Sequence, residues 1–143
     1  MPICGIATGR HGEPVTEQVL AGMLAALYPE PGETGRRGGG PDAGFAASSS
    51  TGTASIFASD MLLVACDADI LNREQLRGAL ECPVAVESDA ALLAALYLEQ
   101  GMAFLPRLRG VFSVAIRDRR SRTLFLAIDR FAVKPLSYAD CGN

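Results

Sequence analysis

Residues 108–139 read Leu108-Arg109-Gly110-Val111-Phe112-Ser113-Val114-Ala115-Ile116-Arg117-Asp118-Arg119-Arg120-Ser121-Arg122-Thr123-Leu124-Phe125-Leu126-Ala127-Ile128-Asp129-Arg130-Phe131-Ala132-Val133-Lys134-Pro135-Leu136-Ser137-Tyr138-Ala139. Two apolar runs of strand length, 111–116 and 123–128, are rich in β-branched and aromatic residues. The polar, loop-sized segment 117–122 separates them, which predicts a β-hairpin. Neither run alternates cleanly between apolar and polar residues, so both strands are expected to be covered on both faces of a layered fold. Charged residues directly after the second run, from Asp129, mark where the chain leaves the core.

The rest of the composition narrows the class. The chain has 143 residues, the size of one domain. Hydrophobic residues make up 49% with no Trp, so the core is expected to be Ala, Leu and Val. Net charge is −3, and the five arginines of residues 117–130 are interspersed with Asp118 and Asp129. A nucleic-acid footprint needs a larger basic face, so no nucleic-acid partner is expected. The first 20 residues lack a signal-peptide pattern, and no apolar run reaches the ~18–20 residues that span a bilayer, so no membrane partner is expected. Cys4, Cys66, Cys82 and Cys141 form no Cys-x-x-Cys pair, and His11 is the one histidine. No zinc or other metal site is expected, and a reducing, cytoplasmic setting fits these residues.

Arg109-Gly110-Val111-Phe112, followed by Asp129-Arg130-Phe131, Lys134-Pro135-Leu136 and Tyr138, resembles the glutaminase domain of glutamine-hydrolysing asparagine synthetases. Cys4-Gly5-Ile6, Gly40-Pro41-Asp42 and Ile70 with Asn72 keep further parts of that family's pattern. The resemblance covers nearly the whole chain and is strongest from Met61 onward. It implies a class II glutamine amidotransferase domain of α+β class: a four-layer αββα sandwich of two mainly antiparallel sheets, the N-terminal-nucleophile hydrolase fold. It also implies glutamine as the bound substrate, a synthetase-like domain or subunit as partner, a homodimer as a possible assembly, and no cofactor.

The resemblance assigns the candidate site residue by residue. Cys4 stands at the nucleophile position. The chemistry needs a thiol whose own α-amino group, pKa near ~8, serves as base. Cys4 is preceded by Met1-Pro2-Ile3, so removal of all three residues is required; otherwise its nitrogen is a peptide nitrogen and Cys4 reads as a buried structural cysteine. Asp67-Ala68 stands where the family has the Asn-Gly of its oxyanion hole. A carboxylate accepts hydrogen bonds but cannot donate them, which leaves the Ala68 backbone N–H as half a hole. Loss of one such donor costs about 10²–10³ in rate. The structural reading of Asp67 and Asp69 is a solvated turn at a strand end rather than a metal site. Ser88-Asp89 matches the pair whose Asp binds the α-ammonium of glutamine; helix capping by the same pair is the competing explanation. The carboxylate-binding Arg is missing, since no Arg lies between Arg37 and Arg73, and Gly38-Gly39 replaces His-Arg. Two functions follow: an impaired glutaminase, or an inactive pseudo-glutaminase scaffold for a synthetase-like domain.

Local signals place the remaining elements. A strand is expected over 3–8, and a helix over 17–28 capped by Thr16, with Val19, Leu20, Met23, Leu24 and Leu27 as its apolar stripe. Residues 29–44 read as a loop, followed by two small-residue strands, 43–50 and 53–57. The buried run 61–66 is a strand. Asn72 with Gln75 suggests a capping box, Leu71 with Leu76 a hydrophobic staple, and the helix is expected to end at Glu81-Cys82-Pro83. Ser88 caps a helix to Gln100 whose stripe is Leu92, Leu93, Leu96 and Tyr97, with Gly101 as its stop.

Overall fold

The computed structural model describes residues 3–8, 12, 14–27, 36–48, 53–81 and 86–140. The expectations for His11, Thr51-Gly52, Cys82, Pro83, Cys141 and the segment 29–35 lie outside these residues.

Two antiparallel sheets face each other. The first contains β1 (Ile3–Ala7), β2 (Arg36–Gly40) and β3 (Ala43–Ala47) in the order β1-β3-β2. The second contains β4 (Ala54–Ala58), β5 (Leu62–Ile70), β6 (Gly110–Asp118) and β7 (Thr123–Ile128) in that order. Helix α1 (Glu17–Leu27) lies on the outer face of the first sheet, where Leu20 and Leu24 cover Ala46. Helices α2 (Arg73–Gly78) and α3 (Asp89–Gln100), with a 3-10 helix at Gly101–Arg107, cover the outer face of the second. Between the sheets, Ala43 and Phe45 meet Leu63, Ala65 and Ala115.

The period of 2 along β5 divides its residues between two cores. Leu62, Val64, Cys66 and Ala68 face the helices, and Leu63 and Ala65 face the other sheet. Leu92, Leu93, Leu96 and Phe104 are fully buried on the helix side. The two sheets are also tied by Arg117, only 6% exposed, whose guanidinium donates to Asp42 Oδ2 at 3.2 Å, to the Arg122 carbonyl at 2.7 Å and to the Thr8 carbonyl at 3.5 Å.

Several local expectations are corrected. Arg117 and Asp118 belong to β6 and are buried, because each finds polar partners inside the fold. β7 is an edge strand with alternating exposure: the narrower first sheet leaves Leu124, Leu126 and Ile128 partly open on the inter-sheet side. Residues 36–40 form β2 rather than loop, and the glycines permit it. A Cβ on Gly38 would stand 3.0 Å from Ile56 Cγ2, and one on Gly39 would stand 2.6 Å from the Ala43 carbonyl oxygen. The two small-residue strands expected over 43–50 and 53–57 are present as β3 and β4, and they belong to different sheets. Val19 and Leu27 of the α1 stripe are exposed. α2 stops at Gly78, and Leu71 is 76% exposed, so no staple forms. Asn72 makes no side-chain cap: its amide donates to the Arg107 carbonyl at 2.9 Å and its Oδ1 accepts from Arg109 N at 3.0 Å. By contrast Thr16 Oγ1 accepts from Val19 N, Ser88 Oγ accepts from Ala91 N, and Gly101 ends α3 with φ +57°.

Candidate functional site

Asp67 lies within β5, not in a solvated turn. It pairs with Ala54 of β4 and Ser113 of β6 and is 2% exposed. Its position in the alternation sets its carboxylate on the inter-sheet side with Leu63 and Ala65. A carboxylate there must be neutralised or protonated. Lys134 neutralises it by donating from Nζ to Asp67 Oδ1. Burial pushes the Asp67 carboxyl up, but hydrogen bonds from Lys134 and Thr53 outweigh that and hold it below the ordinary carboxylate range.

The loop after β7 delivers Lys134. Asp129 is 4% exposed and accepts from the backbone N–H groups of Phe131 (2.9 Å), Val133 (3.1 Å), Lys134 (3.4 Å) and Phe112 (3.3 Å). Desolvation acts against its charge, yet these donors keep its carboxyl below the usual range. Asp129 is thus the organiser of the turn, and Lys134 its product. Ala68, 1% exposed, donates its N–H to the Thr53 carbonyl at 3.0 Å, so this candidate oxyanion donor already has an acceptor.

The α3 N-terminus approaches the same end of β5 from the helix side. Ser88 Oγ takes the Ala91 N–H at 3.2 Å, and Ser55 Oγ of β4 takes the Ala90 N–H at 3.1 Å while lying 3.4 Å from Cys66 Sγ. Asp89 Oδ1 accepts from Arg73 Nη1 at 2.6 Å, and Arg73 Nη2 reaches the Val86 carbonyl at 3.5 Å. Burial raises the Asp89 carboxyl, with Arg73 and Lys134 opposing the shift and Asp69 adding to it. Lys134 therefore acts on both Asp67 and Asp89. Cys66, between them, is fully buried and its thiol is pushed up to about 12, mainly by desolvation.

Cys4 is not brought to this place. It lies in β1 opposite Ala46 and packs on the α1 side with Leu20, Leu24 and Ala46, whereas its β1 neighbours Ile3 and Ala7 face the inter-sheet core. Burial pushes the Cys4 thiol up, against a backbone hydrogen bond with Ala46. Asp67, Ala68, Ser88 and Asp89 thus gather at one end of β5, and the Cys4 side chain lies on the outer face of the opposite sheet. A cavity of about 150 Å³ also lies on that outer side, between Val15 and Leu20 and the β2–β3 residues Arg37, Gly39 and Gly44. Among the described residues no group of three or more His, Cys, Asp or Glu is placed to hold a metal, and no helix is long and apolar enough to cross a membrane.

Sequence reasoning missed Lys134, Arg73, Ser55 and Asp129 as parts of this arrangement. Asp129 and Lys134 stood in the quoted motif, but nothing local says that Lys134 reaches a carboxylate 67 positions earlier. Arg73 and Ser55 carried no signal.

Comparison with known proteins bears on the same residues. The family model of the "Glutamine amidotransferase domain" matches residues 46–143, a stretch that includes Asp67, Asp89 and Lys134 but not Cys4. Asparagine synthetase [glutamine-hydrolyzing] 2 of Bacillus subtilis (strain 168) is 34% identical over 80 residues, which cover 55% of this chain and 11% of that protein. A putative asparagine synthetase [glutamine-hydrolyzing] of Mycobacterium tuberculosis (strain ATCC 25618 / H37Rv) is 39% identical over 67 residues, 47% of this chain and 10% of that protein. The asparagine synthetase [glutamine-hydrolyzing] of Sandersonia aurantiaca is 34% identical over 76 residues, 52% of this chain and 14% of that protein. The match thus spans only a small part of each relative. The family match takes in more than half of the chain and carries both the Asp129–Lys134 turn and the Ser88-Asp89 helix start, so the chain belongs to the class II glutamine amidotransferase domain family, related to the glutamine-hydrolysing asparagine synthetases.

Proposed function

We propose that this chain is the glutaminase-type domain of an asparagine-synthetase-like protein, and that in this conformation it serves as a structural partner of the synthetase-like part rather than as an efficient glutaminase. The αββα layering of an N-terminal-nucleophile hydrolase is part of this reading. The observation that carries it is the separation of Cys4 from the other candidate residues. A glutaminase needs the thiol to attack the side-chain carbonyl of glutamine, the α-amine to carry the proton to the leaving ammonia, and donors on the developing oxyanion. Here the Cys4 thiol packs under α1, Asp67 accepts from Lys134, and the Ala68 N–H is engaged by Thr53.

The alternative is glutamine hydrolysis to glutamate and ammonia, and one observation favours it. Asp89 stands at the start of α3, capped by Ser88, as an ammonium-binding carboxylate would. The test is ammonia release from glutamine by the 143-residue chain and by a form that begins at Cys4, each against its Cys4→Ala variant. Scaffold function predicts release at the level of the variant in both forms. Cys4-dependent release from the shortened form would establish the enzyme reading.

A further inference from the structure

We propose that Arg73 is the gate of the ammonium subsite: its guanidinium occupies, on Asp89, the place that the α-ammonium of an amino acid would take. The inference rests on the reading of Asp89 as the substrate carboxylate and adds the residue that controls access to it. Three features of the contact support exchange. The pair is monodentate, Nη1 to Oδ1 at 2.6 Å, and lacks the second parallel bond of a forked arginine–carboxylate pair. The Arg73 side chain is 35% exposed while that of Asp89 is 15% exposed, so the cation can leave to water and the carboxylate cannot. The remaining tether, Arg73 Nη2 to the Val86 carbonyl, is long at 3.5 Å.

The surroundings explain why a cation is required there. Asp89 is largely buried, with Asp69 as a like charge nearby, and Lys134 is held by Asp67. With Arg73 absent, Asp89 would keep only the longer-range field of Lys134, which leaves its carboxylate open to a cation from solution. A ligand that must displace an internal competitor binds with an affinity reduced by the fraction of time the site is open. Removing the competitor should therefore tighten binding, by about tenfold for a site open about a tenth of the time.

The experiment is a titration of the 143-residue chain with L-glutamine and, separately, with n-butylammonium, followed by NMR at the Ala90 and Ala91 amides, which adjoin Asp89. Arg73→Ala and Arg73→Gln should each bind n-butylammonium about tenfold more tightly than the wild type. Arg73→Lys, which keeps a cation, should behave as the wild type, and Arg73→Ala/Asp89→Asn should lose the gain. Tighter binding of both probes supports the gate and the substrate reading together. Tighter binding of n-butylammonium without glutamine supports the gate and removes glutamine as the ligand. No gain for either probe in Arg73→Ala and Arg73→Gln, with the α3 amide resonances in place, overturns the proposal.

Discussion

Replacing Lys134 by Met should destabilise the domain by about 3 kcal/mol, at the lower end of the range for breaking a buried ion pair. Asp67 would remain 2% exposed without the ammonium of Lys134, and the loop around Asp129 would still form because its bonds come from backbone N–H groups. The lower end applies because Thr53 still bonds the Asp67 carboxylate and the Lys134 side chain is 19% exposed, so water can partly take its place. Against a total stability of roughly 7–20 kcal/mol for a chain of this size, that loss is measurable. With a urea slope of about 2 kcal/mol/M, the unfolding midpoint should fall by about 1.5 M at pH 7. Adding Asp67→Asn removes the buried charge itself and should recover about half of the loss, a coupling large enough to resolve in a double-mutant cycle. The pH dependence has a definite sign. In the wild type the folded Asp67 carboxyl lies below its unfolded value, so the pair contributes fully above about pH 4 and less as pH falls through the folded pKa. In Lys134→Met the lowering hydrogen bond from Lys134 is lost and Asp67 takes up a proton more readily, so the gap between variant and wild type should close toward pH 3. A loss below about 1 kcal/mol, or a gap as large at pH 3 as at pH 7, would refute the ionic account.

Two further outcomes test the buried groups away from this pair. Asp118, held at about 2 chiefly by Arg120, also accepts from the Tyr97 hydroxyl at 3.2 Å and the Arg120 N–H at 2.9 Å. Its contribution should be complete above about pH 4 and lost as pH falls toward 2, and Asp118→Asn should lower Tm at pH 7 by roughly 4–8 °C and flatten the acid limb of a Tm-against-pH curve. In a timed iodoacetamide reaction at pH 8 mapped by mass spectrometry, half-buried Cys4 should be alkylated well before Cys66, which is fully buried with its thiol pushed up to about 12; labelling of Cys66 in the folded protein at the rate of Cys4 would contradict the packing.

Elements whose signals are local were legible in the sequence. α3 declares its start in Ser88, its buried face in Leu92, Leu93 and Leu96, and its stop in Gly101, and each acts within a few residues of where it stands. β2 was not legible: Arg36-Arg37-Gly38-Gly39-Gly40 carries no strand pattern, and it is a strand because β3 pairs with it and because Gly38 fits against Ile56 and Leu63. Asp67-Ala68-Asp69 read as a turn because two carboxylates rarely continue a buried strand, and the side chain that permits it arrives from Lys134. Asn72 has the spacing of a capping box, but the Arg107 and Arg109 backbone claims its amide. For Asp67 and Asn72 the deciding partner is distant in sequence, and for β2 it is the neighbouring strand together with the packing of Gly38 on the other sheet.

The candidate site was legible in the same uneven way. Its residue types could be found, but whether each was free could not. Asp129 and Lys134 stood in the motif without an assigned role, and one organises a turn while the other neutralises a strand. Asp89 looks like a helix cap, but Ser88 and Ser55 take the first N–H groups of α3, which leaves Asp89 to an ion pair with Arg73. A buried charge costs most when its partner is removed. Substitutions in this region therefore tend to be constrained by stability as well as by chemistry, and the charged residues at the end of β5 would be retained for folding even where no glutamine is turned over. For that reason the presence of Asp89 and Lys134 alone does not separate a glutaminase from a scaffold. The reach of a free amine and thiol at Cys4 does.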